Sequence, residues 1–174
     1  MELLKLMEKR YSCRSFSDKK ISREDLNLIL QAGYLAPVGK GEYNQLLITV
    51  IENRELLNEI DRVGSTFFGG KIKKPTYTSN TVVLVSAKKS DNVLVQYCNA
   101  SCIIQNMLLM ATQLGINSVY LLGAIQAIKK DSELCNKLNL EYEYFPIAAV
   151  ALGYSAIKKQ RLKEKSKIET VYFE

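Results

Sequence analysis

The chain contains no histidine. That absence removes Ser–His and Cys–His nucleophile pairs, histidine-ligated metals and imidazole acid–base catalysis. An enzyme built on this sequence would leave its hard step to a bound cofactor. Neither G-x-G-x-x-G nor G-x-x-x-x-G-K-[ST] occurs, so no glycine loop offers backbone N–H groups to a phosphate. "GGKIKKP" has the residue types without the spacing. No apolar run reaches the roughly 18 residues of a membrane span. The opening "MELLKLMEKR" interleaves charge with its apolar residues, unlike an export signal, and a cytoplasmic protein is expected. With three prolines, nine glycines and no repeat or low-complexity tract, residues 1–174 are expected to form one domain.

Cysteine is also scarce, at four residues, and free thiols are expected without an export signal. Cys98 and Cys102 share a helical face, but two thiolates are half a zinc site and nothing completes it. They read as small hydrophobes on a core helix.

What the chain does have is positive charge at two places. The net charge is +6. Lys9 to Lys20 sets five cations against Asp18, and Lys158 to Lys167 sets six against Glu164, leaving the remainder mildly acidic. An anionic ligand held where these segments meet fits that pattern, as does a nucleic-acid surface made of two arms.

The hydrophobic pattern gives the framework. Leu3 to Glu8 reads as a first helix, and Ser22 with Asp25 as the N-cap of a second that Ala36-Pro37 stops. "LLITVI", "TVVLVSA", "INSVYLL" and "FPIAAVALG" read as strands, and "RELLNEIDRV" as a helix. Ala100, Ile103, Ile104, Met107, Leu108, Ala111 and Leu114 form the strongest helical stripe, with Cys102, Leu109 and Met110 off it. A helix so apolar must be buried on two sides, and a second subunit could supply one. Gly64 to Thr78, with Phe67-Phe68 and Lys71, Lys73 and Lys74, reads as a mobile loop or short helix over a pocket. The terminal Val171, Tyr172 and Phe173 suggest an end that docks.

"KRYSCRSF" (Lys9 to Phe16) places Arg10, Ser12 and Arg14 at alternate positions. In an extended segment they share one face, with Tyr11 and Cys13 on the other. Guanidinium forks and a hydroxyl suit phosphate oxygens. On composition alone a solvated basic segment after a helix is the favoured reading.

The order of several segments resembles the nitroreductase-like FMN flavoproteins. "KRYSCRSF" matches that family's R-x-S-x-R pattern, and "AGYLAPVGKGEYNQ" is similar to its A-P-[SA]…N-x-Q turn. "NASCIIQNMLLMATQLGINSVYLLG" resembles its long central helix and glycine-closed strand. "FPIAAVALGY" and "KKQR" resemble its last strand and the basic pair beyond. The resemblance implies an α+β fold: a mostly antiparallel sheet of four or five strands flanked by helices, in a homodimer with FMN between subunits.

It further implies that Arg10, Ser12, Lys159 and Arg161 hold the FMN phosphate, with Tyr11 among that segment's contacts. Arg14 would lie by flavin N1 and O2, with Lys74 as a second cation. Leu122 and the N–H of Gly123 would face N5 and O4, while Pro37, Val38 and Gly39 reach the partner's FMN. The turn departs from the family pattern at Leu46-Leu47 and is longer from Pro37 to Gln45, which leaves Asn44 and Gln45 without an assigned role. "VYFE" would add an edge strand to the partner's sheet. The implied activity is ping-pong hydride transfer from NADH or NADPH through FMN to a small acceptor such as a nitroaromatic or quinone. The alternatives are an FMN storage or sensing protein without turnover, and a basic nucleic-acid-binding module.

Overall fold

The computed structural model describes residues 2–90, 92–140, 143–157 and 168–174. The two most continuously apolar segments become the central strands. β1 is Leu46–Ile51, β2 Thr81–Lys88, β3 Asn117–Leu121 and β4 Tyr144–Gly153, in the order β1-β2-β4-β3. Every pairing between them is antiparallel. β2 and β4 are buried on both faces, which is why they read as unbroken Val, Leu and Ala, whereas β1 at one edge is half-buried. Pro146 lacks the N–H that the ladder needs, and the register shifts between Val85 and Ser86 where it pairs.

Among the described residues six α-helices surround the sheet: α1 Leu3–Lys9, α2 Arg23–Tyr34, α3 Arg54–Phe67, α4 Val93–Gln113, α5 Gly123–Ile128 and α6 Ser132–Lys137. On one face the α4 stripe of Ile103, Ile104, Met107 and Ala111 packs with Leu26 and Ile29 of α2 against Val83, Val85 and Val150. On the other, Leu57 and Ile60 of α3 and Ile125 and Ile128 of α5 cover Val82, Leu84 and Ala149. Burying such side chains stabilises by about 1.5–3 kcal/mol each before the entropy of ordering them is deducted. By length and composition α4 could cross a membrane, but here its stripe lies on the sheet.

The Ser22 cap forms as expected, accepting from the Asp25 N–H at 3.0 Å. Three expectations need correction. Of the stretch expected as a mobile loop or short helix, Gly64 to Phe67 is the last turn of α3, and the chain turns away from it at Gly69 and Gly70. Both glycines have positive φ, and their N–H groups donate to Thr66 O and Ser65 O. The chain between β3 and β4 holds two further short helices, α5 and α6. Cys98 is exposed rather than in the core, though all four cysteines are free. Ile168 to Glu174 lies exposed and without regular structure in the single chain.

Candidate functional site

Residues after α1 leave the helix in extended conformation, beginning at Arg10 (φ −66°, ψ 121°). Cys13 and Phe16 are buried, Arg10, Tyr11 and Ser12 half-buried and Arg14 exposed, so the alternation holds only around Cys13 and Arg14 and breaks at Phe16. Ser12 forms a parallel bridge with Ser118 of β3, and the Cys13 N–H donates to Ser118 O at 3.0 Å. Tyr11 turns inward against the α3–α5 core, where its hydroxyl accepts from Asn117 Nδ2 at 3.1 Å. Burial pushes its phenol up from the usual value.

Phe16 is the meeting point of three segments. Its N–H donates to Tyr77 O, it bridges Ser155 in antiparallel fashion, and the next N–H, of Ser17, donates to Tyr154 O at 2.8 Å. The Ala156 N–H returns to Ser15 O, and the Ser155 N–H donates to Asn117 Oδ1. The strand leading toward the second basic cluster thus runs beside the first. Lys159 and Arg161 themselves lie outside the described residues.

The loop carrying Lys74 joins the same seam. Thr78 Oγ1 donates to Phe16 O and Asn80 Nδ2 to Ser17 O. Tyr77 and Thr78 both have positive φ (56° and 64°), costly for a β-branched residue and held here by these bonds. Asp61 of α3, only 7% exposed, accepts from the Thr76 N–H at 2.8 Å and fixes the loop two residues beyond Lys74. Burial raises the Asp61 carboxyl above its ordinary value, against the pull of the Thr76 bond and of Lys74 and Arg54.

Leu122 and Gly123 stand at the far end of β3. Gln126 of α5 donates to Ile147 O at 2.9 Å and accepts from the Tyr97 hydroxyl, tying α5 to β4 and α4. The Phe67 ring lies against Gly123, so close that a Cβ there would sit 2.5 Å from Phe67 Cε1. Pro37, Val38 and Gly39 are elsewhere on the chain. The Gly39 N–H donates to buried Asn99 of α4, whose Nδ2 donates to Gln96 Oε1. Among the described residues no hydrogen bond joins them to the Arg10–Arg14 segment.

Arg10 and Arg14 form no ion pair among the described residues, and from Arg62 to Ser90 the sequence has no acid at all. The arrangement is a cationic shelf at one end of β3 and an apolar, glycine-bearing corner at the other. Asp61, Asn99 and Gln126 were not foreseen. The available signal was a polar residue on an apolar helical stripe: Asp61 among Leu57, Ile60 and Gly64, and Asn99 before Ile103.

The family profile described as Nitroreductase family matches residues 7–154. The chain belongs to the nitroreductase family. A nitroreductase-family protein of Archaeoglobus fulgidus, named as an NADH dehydrogenase/NAD(P)H nitroreductase, is 33% identical over 161 residues, covering 91% of this chain and 88% of that one. The nitroreductase of Bacteroides fragilis, solved with bound FMN, superposes with a TM-score of 0.84 at 26% identity, covering 99% of this chain and 98% of that one. A Desulfitobacterium hafniense nitroreductase shares the fold with a TM-score of 0.83 at 24% identity over 99% of both chains.

Proposed function

We propose that this nitroreductase-family chain is an FMN-dependent NAD(P)H oxidoreductase acting on a small electron acceptor. The carrying observation is the seam at Phe16, which sets the Arg10–Arg14 segment beside the approach to Lys159 and Arg161. Two guanidinium groups without acid partners among the described residues and a half-buried serine form a donor set suited to a phosphate monoester. Ser118, beside Ser12, keeps a buried hydroxyl with no partner among the described residues. From Ser118 to Gly123 the chain spans about 16 Å, room for a phosphate-bearing cofactor with an extended linker. The residues fit the group.

Arg10, Ser12, Lys159 and Arg161 would hold the phosphate. Arg14 and Lys74 would place positive charge at the pyrimidine edge of the ring system, and Gly123 would turn its N–H to N5. FMN, when bound, supplies two-electron hydride exchange at N5. Asp61 holds the Lys74 loop, and Gln126 holds the helix that starts at Gly123. No side chain here need act as acid or base, which suits a chain without histidine.

Pro37, Val38 and Gly39 complete the site only across a homodimer. Unlinked to the Arg10 segment within one chain, they would reach the partner's cofactor. The apolar groove of about 490 Å³ beside half-buried β1, lined by Tyr34, Tyr43, Leu46 and Ile48, leaves a sheet edge for the partner's Val171–Phe173. The test is the colour of pure protein: flavin absorbance near roughly 450 nm that NADH or NADPH bleaches without oxygen. A colourless protein that gains nothing from added FMN overturns the reading, and bound flavin that NAD(P)H does not bleach makes it a storage or sensing protein.

A further inference from the structure

The corner at Gly123 carries an aromatic residue that the cofactor reading does not use. Phe67 is the last residue of α3, fixed there by the glycine turn that follows. The Gly70 and Gly69 N–H groups close onto Ser65 O and Thr66 O, and the Lys71 N–H onto Phe68 O at 3.1 Å. Phe68 stands edge-on behind the Phe67 ring, centroids 5.1 Å apart at 80°. Gly123 lies beneath it, with Cε1 and Cδ1 occupying the space a side chain would take. Yet Phe67 is 56% exposed. A ring held on two sides and bare over half its surface offers a planar apolar ligand a stacking face. The chain that continues from it bears Lys71, Lys73 and Lys74, all exposed, in a stretch free of carboxylates.

We propose that Phe67 is a specificity-determining residue of the electron-acceptor site, selecting planar aromatic acceptors that carry an anionic group, with the negative charge toward Lys71. This rests on the flavoenzyme reading, because that reading puts Gly123 at the reacting edge of the cofactor. The Phe67 ring beside Gly123 then forms one wall of the space an acceptor enters. Stacking rewards flat molecules, and the lysines reward an anion over a neutral or cationic analogue. A bulky aliphatic acid gains only the second preference.

The test uses FMN-loaded protein and no turnover. Benzoate, planar and redox-inert, is titrated against cyclohexanecarboxylate, of equal charge but not flat, and binding is read from the flavin absorbance. Phe67→Ala should weaken benzoate roughly fivefold, the scale of one stacking contact, and leave cyclohexanecarboxylate unchanged. Phe67→Tyr keeps the ring and should bind like wild type. Phe67→Leu keeps apolar bulk without a flat face and should lose the discrimination, which covers a failure of the alanine variant to fold. Lys71→Gln should weaken both acids. Unchanged benzoate binding in Phe67→Leu or Phe67→Ala, or equal loss of both acids there, overturns the proposal. A wild-type chain that takes up no flavin overturns the parent reading instead, and shows this before any acid is added.

Discussion

The N–H of Gly39 is held at 2.9 Å by the side-chain oxygen of Asn99, sixty residues further on. Lys40, which follows, has a positive φ of 57° and is exposed. The turn is closed by the Gly41 N–H donating to Val38 O and by the Tyr43 hydroxyl donating to Ala36 O, and the Asn99 bond ties it to α4. Asn99 is itself oriented by Gln96, and both are buried on α4. The clamp decides where Pro37 to Gly39 can present themselves to another subunit.

Asn99→Leu should therefore cost about 1–3 kcal/mol, the penalty of stranding polar groups beside Gly39. It should also loosen FMN, whereas Asn99→Asp keeps the acceptor for the Gly39 N–H, loses the bond to Gln96, and should retain FMN at a smaller cost in stability. Thermal melts and FMN titrations of the two variants separate these outcomes.

Arg10 and Arg14 share a strand face but differ in burial, half-buried against exposed. Arg10→Ala should lose FMN, with a dissociation constant raised roughly tenfold or more, as expected for a charge-assisted bond. Arg14→Ala should keep the flavin and lower its midpoint potential, because a cation near the pyrimidine edge favours the reduced, more negative ring. Potentiometry on both proteins checks the division of labour.

Asp61 makes a prediction about pH. Burial raises its folded pKa above the ordinary 3.8, so folding favours its protonated form. The stability this contributes is complete below the unfolded value and is lost as pH rises through the folded one. Asp61→Asn, which keeps an oxygen for the Thr76 N–H, should flatten that decline and raise the melting temperature near neutral pH. Melting curves for both proteins between about pH 4 and 7 provide the comparison.

Two glycines at the α3–α5 contact should respond differently to alanine. At Gly64 a Cβ would lie 2.9 Å from Ala124 Cβ, 3.0 Å from Pro75 Cγ and 3.3 Å from the Ala124 backbone. None of these is the end of a flexible side chain, so Gly64→Ala should cost roughly 1–3 kcal/mol in denaturant unfolding. At Gly123 the obstacle is a half-exposed ring that can swing away. Gly123→Ala should lose under about 1 kcal/mol, yet abolish the preference for benzoate over its saturated analogue.

Removal of residues 168–174 should leave the monomer fold intact, since Val171, Tyr172 and Phe173 are 68%, 81% and 96% exposed. If they dock on a partner, the dimer dissociation constant should rise at least tenfold, a loss of about 1.4 kcal/mol. Sedimentation of the shortened and whole chains measures it.

The four strands and α4 were legible because each has enough residues for its periodicity or apolar run to stand out. α5 and α6 were not, with six residues apiece and only one or two turns of pattern. The last turn of α3, Gly64 to Phe67, was separated from the helix before it and read as part of a mobile loop or short helix, because Gly69 and Gly70 were not recognised as the left-handed stop of a helix already under way. Cys98 was misplaced by counting apolar types rather than following the stripe, which runs through Asn99 and Ile103 and leaves Cys98 outside. At the site, alternation correctly separated Arg10 and Ser12 from Cys13. It could not reveal that the Tyr11 hydroxyl accepts from Asn117, a partner 106 residues away.

Phe16 pairs with Ser155 across 139 positions of sequence, and with Tyr77 across 61. During synthesis the first of these partners leaves the ribosome last, after every strand of the sheet. The basic segment can meet Tyr77 and Ser118 earlier, but its pairing with Ser155 must wait until all four strands have emerged. Contacts of such long range close late. Anything held at that seam is captured late, and because it binds only the closed form it also stabilises the fold, so the supply of ligand sets both how much protein is loaded and how firmly it stays folded.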